Sequence, residues 1–456
     1  MSDWAKVELS ELLTLVIDHR GKTPKKMGFD DFFSKGYPVL SAKHIKNGDL
    51  VNLDNLRYGN NEMYKKWMKE EVKKEDIILT SEAPLGETYY IDNDQKYILG
   101  QRVFGLRVNK EKVVPKYLEI WLSSLKGQQE LFKRASGSTV QGIKQTELLK
   151  ITVDIPPLEI QEKIATIGDS LSKKIKLNTQ TNQTLEQIAQ GIFKHWFIDF
   201  APVHAKANAL ARGETIEQAE LAAMACLSGK TVEKITALKA QDPTAYHQLQ
   251  QTAAAFPSEF VETEMGLVPK GWEVKPLIEQ FDFLGGSQPP KSEHIYEEKE
   301  GYIRFIQNRD YSNENHKTYI PISKKNKICS ETDILMDKYG EAGKVRFGIT
   351  GAYNVALAKI QPKNILFKEF LRWFFMQKNT QDFLFAASLA STRSSLNSQT
   401  FIGMNILIPT NNVLSAFNVI AEKYIQHSLN LKQENRTLSE VRDLLLTKLI
   451  CGEIDV

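Results

Sequence analysis

Val114-Pro115-Lys116-Tyr117-Leu118 and Phe367-Lys368-Glu369-Phe370-Leu371 are one pattern met twice, 253 residues apart. At the same offset Trp121-Leu122 falls on Phe374-Phe375, and Ser138-Thr139 on Ser391-Thr392. Ile155-Pro156 falls on Ile408-Pro409, and Asn182, Thr184, Leu185 and Ile188 on Asn435, Thr437, Leu438 and Val441. Upstream the offset drifts. Gly21-Lys22-Thr23-Pro24 faces Gly286-Ser287-Gln288-Pro289, Asp76-Ile77-Ile78-Leu79 faces Asp333-Ile334-Leu335-Met336, and Trp4 faces Trp272. A single match arises by chance, but an ordered series across both halves marks an internal duplication. The bland reading is an old duplication without functional meaning. The sharper reading is two similar binding modules for two sites.

Each copy has the same plan. A mixed α/β domain of about 150 residues comes first. Strand-like pieces at 38–41, 77–81, 97–108 and 151–155 are separated by Gly, Asn and Asp turns. A helical patch over 115–132 has Pro115 placed to start it. After Ile155-Pro156-Pro157 the pattern predicts a long helix over about 158–198, and after Ile408-Pro409 a second over about 413–450. Between the copies, residues 201–255 hold 15 alanines, with turn signals at Ser228-Gly229 and Asp242-Pro243. That composition predicts a helical connector. The expected organisation is a first domain over 1–157, a spacer helix over 158–200, a connector over 201–262, a second domain over 263–410 and a second spacer helix over 411–456. The fold class is α+β, with an internal pseudo-two-fold repeat.

The two long helices carry matching ladders. In the first, Ile160, Ile164, Ile167 and Leu171 lead through Lys174, Asn178 and Thr181 to Leu185, Ile188 and Ile192. In the second the ladder is Phe417, Ile420, Tyr424, His427, Leu431, Leu438, Val441 and Leu445. A stripe of period near 3.5 is a coiled-coil seam, and the expectation is that the helices pack on each other, antiparallel. Asn178 lies on the seam, where a buried Asn fixes register at a cost in stability. Asn182 and Asn435 fall one position off it and are expected to flank the contact. A helix of about 40 residues spans ~60 Å, more than a core helix of such a domain needs.

Composition narrows the class. The chain has 456 residues, 42% hydrophobic and 25% charged, which suits globular domains and excludes disorder or a pure coiled coil. No apolar run is long enough for a transmembrane helix, and the first residues lack a signal-peptide core. Cys226, Cys329 and Cys451 form no metal-spaced pair and suggest no disulfide framework, so a cytoplasmic protein is expected. The net charge of +3 is only mildly basic, so nucleic-acid binding would need local basic patches, or partners that supply more charge.

Catalytic signatures are missing. Gly229-Lys230-Thr231 ends like a phosphate-binding loop, but Met224 stands where its first glycine is required. Glu82 with Asp94-Gln95-Lys96 fits a nuclease carboxylate–lysine pattern of a kind common in charged loops. Pro156-Pro157 and Pro289-Pro290 lack the flanking residues of an amino-methyltransferase loop. The histidines lack metal spacing, and His195 beside Trp196 is expected to be packed. The residues predict a binder or adaptor with neither a catalytic nor a metal site.

Ile155-Pro156-Pro157-Leu158-Glu159-Ile160-Gln161, the run Gly191-Ile192-Phe193-Lys194-His195-Trp196-Phe197-Ile198-Asp199-Phe200, and the lead-in Phe256-Pro257-Ser258-Glu259-Phe260 with Glu264-Met265-Gly266-Leu267-Val268-Pro269-Lys270-Gly271-Trp272 carry a resemblance. With the duplicated plan of domain and helix, the chain resembles the specificity (S) subunits of type I restriction-modification systems over essentially its whole length. Ile408-Pro409-Thr410-Asn411 departs from the pattern, lacking the second proline and the Glu-x-Gln. The resemblance implies two target recognition domains, each reading half of a split sequence in double-stranded DNA, with the paired helices setting the gap. It implies docking of two methyltransferase (M) subunits, which bind S-adenosylmethionine and methylate adenine N6. It also implies restriction (R) subunits that use ATP and Mg. None of these activities or cofactors would belong to this chain, and no membrane is implied. A duplicated adaptor binding only protein is the alternative from another class, and an enzyme with unfamiliar motifs is a third.

Base edges are read by Arg, Lys, Asn, Gln and hydroxyl side chains, and phosphates by Lys, Arg, Ser, Thr and backbone amides. In the first domain such residues are Lys22, Thr23 and Lys25 in a basic turn, Lys43 after a strand, Arg102 beside Gln101, and Ser138, Thr139, Gln141 and Lys144 in a polar loop. In the second they are Lys291, Arg304, Asn308, Arg309, Lys344, Arg346, and Thr392, Arg393 and Ser394 in the counterpart loop. For the helix pairing and partner docking, the residues are Ile164, Leu171, Asn182, Leu185, Ile192, Phe417, Ile420, Leu431, Asn435, Leu438 and Leu445.

Overall fold

The structure, a computed structural model, describes residues 4–46, 48–137, 139–264, 266–312, 316–390 and 395–454. Ser138, Thr392, Arg393 and Ser394 lie outside the described residues. The chain divides into two compact units, Met1–Thr179 with Gln433–Val456, and Gln180–Lys432.

In the first unit, strands β1 (Leu13–Asp18), β2 (Ile77–Ser81), β3 (Leu85–Tyr90) and β4 (Val103–Val108) form a sheet of order β1-β4-β2-β3, every pair antiparallel. In the second unit, β5 (Phe281–Gly285), β6 (Ile334–Asp337), β7 (Val345–Arg346) and β8 (Leu357–Pro362) form a sheet of order β5-β8-β6-β7, again antiparallel. Ala5–Glu8 pairs with Thr152–Ile155 in one copy, and Glu273–Pro276 with Asn405–Ile408 in the other. The helices repeat at the sequence offset of 253: Pro115–Ser123 with Lys368–Met376, and Leu158–Phe197 with Asn411–Ile450, each of the last two 40 residues long. Even the turn before the central strand recurs. Asp76 accepts from the Lys73 amide, and Asp333 from the Ser330 amide, both at 2.8 Å. The second long helix starts at Asn411 although its junction lacks the second proline, because Ile408 and its strand are positioned like Ile155.

Both long helices help close each core. In the first unit, Phe104, Tyr117, Trp121 and Leu148 are joined by Ile164 and Ala165 of the first helix and by Leu449 and Ile450 of the second. In the second unit, Phe281, Ile334, Phe370 and Trp373 are joined by Phe193, Trp196 and Phe197 of the first helix and by Val413, Phe417 and Ala421 of the second. Phe193, Trp196 and Phe197 stand three and four apart, so one helix face carries all three rings. Phe197 meets Phe370 and Phe417 at 5.0 Å between centroids. Phe200 takes a left-handed conformation (φ 47°) just beyond the helix end.

Within the first unit the helices run antiparallel, Gly168 lying by Leu446 and Asn178 by Asn435. Asn178 is buried and donates to Glu434 (3.0 Å) and Asn435 (2.9 Å). Asn435 does more than flank the contact. Its amide nitrogen donates to the Ile175 carbonyl and to Thr179, both at 3.2 Å. Ile164 and Phe417 are buried, while Leu171, Asn182, Leu185, Ile192, Ile420, Leu431, Asn435, Leu438 and Leu445 are half-buried. The 3.5 ladder fails elsewhere. Ile188, His427 and Val441 are exposed, and the buried stripe steps by four through Ala189, Phe193 and Phe197, and through Val413, Phe417, Ala421, Ile425 and Leu429. The reason is that each helix packs on a domain as well as on its partner, which demands a broad face instead of a narrow seam.

The connector forms four helices, Ala201–Ala211, Ile216–Ser228, Val232–Gln241 and Pro243–Ala255, around Met224, Ile235 and Tyr246. Gly229 is left-handed at the end of the second of them, and Asp242 caps the fourth through the Ala245 amide. The buried Lys206 ammonium donates to the Phe256 carbonyl at 2.7 Å, tying the connector to the chain that follows it.

One ion pair is inverted between the copies. Lys116 and Glu119 meet at 2.9 Å on the first domain's helix; at the same two positions the second has Glu369 and Arg372, meeting at 2.8 Å. Arg372 is fully buried and also donates to the Thr332 carbonyl. Glu369→Ala therefore leaves a buried guanidinium without its counter-ion and is expected to cost about 3–5 kcal/mol in urea unfolding. Removing the exposed Lys150, paired with Glu147, is expected to cost at most about 1 kcal/mol.

Candidate nucleic-acid interface

In the first unit, several segments distant in sequence meet around a cavity of about 360 Å³. Lys22, Thr23, Lys43 and Arg102 line it, as the residue types suggested, and Arg57 adds a further cation. Phe32, Val39 and Trp67 form its apolar wall, and Ser41, His44 and Gln101 add polar atoms. A concave surface with cations at its edge and an apolar floor suits a polyanion with flat bases. Arg57 and Trp67 were not singled out from sequence. Arg57 is the exposed first residue of the short strand Arg57–Gly59, so a cation at a strand start was the available signal.

The basic turn is held firmly. Arg20 grips Asp18 through two nitrogens (2.9 and 2.7 Å), donates to the Ile143 carbonyl, and lies 4.0 Å from the centre of the Phe104 ring. Lys22 donates to the Trp67 carbonyl, and burial lowers its pKa. Lys25 is exposed in the turn beyond it and does not line the cavity. The polar loop folds back on the sheet. Ser136 and Gly142 exchange backbone hydrogen bonds, the Ile143 amide donates to the Ser81 carbonyl at 2.9 Å, and Gly142 bridges to Glu82. Thr139, Gln141 and Lys144 are left exposed.

The second unit is arranged differently. Its cavity of about 310 Å³ is lined by Phe283, Leu284, Gly285, Asn326, Lys327, Ile328, Tyr353 and Lys359, none of them singled out from sequence. Asn308, Lys344 and Arg346 instead gather about Asp337 and Glu341. Asn308 donates to Asp337 at 3.0 Å, Arg346 to Asp337 at 2.7 Å and to Glu341 at 2.6 Å, and Lys344 to Glu341 at 2.8 Å. Asp337 is buried, and burial raises its pKa against the pull of Arg346. Arg346 and Asn308 thus hold the β6–β7 turn. Lys291 and Arg309 are exposed, and Arg304 is half-buried. No cluster of three or more potential metal ligands occurs among the described residues. Nor is any described helix long and apolar enough to cross a membrane.

His19, buried beside the basic turn, has its pKa lowered to about 4, first by burial and then by the Lys22 charge. An unfolded chain binds the proton that the folded one refuses, so His19 subtracts stability as pH falls from about 6.5 to 4. His19→Gln is expected to flatten the loss of stability in that window, by at most about 1.4 kcal/mol per pH unit. Urea midpoints at pH 7 and pH 4.5 check this, and an unchanged slope would contradict it.

The chain is similar to known proteins over its whole length. The chain matches the family model of the type I restriction modification DNA specificity domain over residues 1–187 and 269–420. It is 32% identical over 482 aligned residues, covering the whole of both chains, to the type I restriction enzyme HindI specificity subunit of Haemophilus influenzae. It is 24% identical to the MjaIX specificity subunit of Methanocaldococcus jannaschii, over 96% of this chain and 90% of that one. Among solved structures it is similar to a type I restriction-modification S subunit from M. genitalium, with a TM-score of 0.52 at 15% identity, over 98% of this chain and 96% of the other.

Proposed function

Since the chain belongs to the type I restriction-modification DNA specificity family, we propose that it reads a split target in double-stranded DNA, one half with each domain. The M subunits dock on the long helices and carry S-adenosylmethionine to adenine N6; R subunits bring ATP and Mg. The chain itself performs no catalysis, and the complex works in the cytoplasm.

The observation that carries this reading is the convergence of Lys22, Lys43, Arg57 and Arg102 on one apolar-walled cavity in the first domain. A local cluster of this kind lets a chain of net charge +3 hold a polyanion. The exposed Thr139, Gln141 and Lys144 add donors on a loop anchored to the same strand end. In the second domain the exposed Lys291 and Arg309 serve in phosphate contact, while Arg346 and Asn308 hold the turn that presents its neighbours.

Affinity of the chain bound to its M subunits for duplex DNA is expected to fall steeply with salt. Lys144→Ala is expected to weaken binding to duplexes carrying only the first domain's half-site, and to lower the salt slope by about one. Equal losses at both halves would contradict the two-reader scheme, and salt-independent affinity would favour a protein-only adaptor. Inserting four residues after Thr181 together with four after Glu434, about one turn in each helix, is expected to change the preferred gap and neither half-site. An unchanged gap would contradict the spacer role.

A further inference from the structure

The two domains share a backbone frame at the edge formed by the ends of their two inner strands and differ there in side chains. In the first domain Thr80 pairs with Val103; in the second Asp337 pairs with Leu357. This register makes Ser81 equivalent to Lys338, Glu82 to Tyr339, Ala83 to Gly340, and Arg102 to Ala356. The backbone bonds around these residues are the same. The Ser81 amide donates to the Arg102 carbonyl (2.9 Å), as the Lys338 amide does to the Ala356 carbonyl (2.8 Å). The Ser81 carbonyl accepts from Ile143 (2.9 Å), as the Lys338 carbonyl does from Leu396 (3.1 Å). Ala83 and Gly340 are both left-handed, at φ 50° and 72°.

The first domain accepts strain at this edge. Ala83 and Arg102 (φ 66°) are non-glycine residues in the left-handed region, and both line the cavity. Such conformations persist where the surroundings enforce them, and they cluster at functional sites. Here they set Arg102 and Glu82 side by side, Nε to Oε1 at 3.0 Å, with both side chains about half exposed. Gly142 packs so closely that a Cβ there would lie 3.1 Å from the Glu82 Cβ. Binding through Nε leaves the terminal nitrogens of Arg102 and one Glu82 oxygen for another partner. At the equivalent place the second domain presents the ring of Tyr339 and the methyl of Ala356.

We propose that residues 82 and 102, and their counterparts 339 and 356, are base-reading positions. The Glu82–Arg102 pair selects a C·G base pair, with Arg102 donating to guanine O6 and N7 and Glu82 accepting from the cytosine N4 amino group. Tyr339 and Ala356 offer a ring face, a phenolic O–H and a methyl in place of that ion pair, and their apolar surface favours the methyl of thymine. The proposal rests on the reading of both domains as DNA readers and names the bases that one edge of each selects.

The test uses the full chain with its M subunits and measures binding to duplexes varied at every position of both half-sites. Wild type is expected to show one position in the first domain's half-site where any replacement of C·G costs about 5- to 150-fold. Arg102→Ala is expected to abolish that discrimination there alone, and the isosteric Glu82→Gln to relax it. The second half-site should be unchanged in both variants. Unchanged preferences in both variants would overturn the proposal. So would a uniform loss across all sequences, which marks a phosphate contact. If wild type binds every duplex equally, the reading of the domains as DNA readers falls, and the proposal with it.

Discussion

Neither domain closes its own core. The first is sealed by Ile164 and Ala165 from the start of one long helix and by Leu449 and Ile450 from the end of the other. The second is sealed by Phe193, Trp196 and Phe197 from the end of the first helix and by Val413 and Phe417 from the start of the second. The side chains involved are mostly large and apolar, each contributing about 1.5–3 kcal/mol on full burial. The packing on both domains follows from one property of the sequence. Two helices of 40 residues carry apolar faces at each end and a polar stretch between. At that stretch Asn178 donates to Asn435, and Asn435 donates to the Ile175 carbonyl; such specific bonds penalise a shifted register more sharply than apolar contacts would.

Much of this was legible in the residues. The repeat gave two equivalent domains, and the structure repeats their sheet orders, their strand pairs and the turns at Asp76 and Asp333. Asn178 was placed on the helix contact by its step from Leu171, and it is buried there. The polar role of Asn435 was underestimated because an ideal 3.5 ladder moves it off the seam. The same ladder put Ile188, His427 and Val441 inside, where a helix that also covers a domain leaves them outside. Periodicity describes one helix against one neighbour, and these helices have more.

The site was less legible for a different reason. Residue type identifies a cation, not its partner. Lys22, Lys43 and Arg102 come together at the first cavity, but Arg346 and Asn308 turn out to hold buried Asp337. Which of two basic residues is free depends on the partners that folding brings to it, such as Asp337 to Arg346 across the β6–β7 turn. The inverted pair Lys116–Glu119 and Glu369–Arg372 makes the same point. Duplication preserved the geometry and the net charge of the pair while its sign pattern reversed. A conserved frame with exchanged side chains is what two modules need to share an architecture and differ in what they bind.

The most direct test is to map adenine methylation across the genome of a host that carries this gene and its methyltransferase, with and without the gene. The expected result is a split motif, two fixed segments around an unspecified gap, that disappears when the gene is deleted. A methylation pattern that survives the deletion unchanged, or a lost motif that is continuous, would contradict two domains reading two halves of one site.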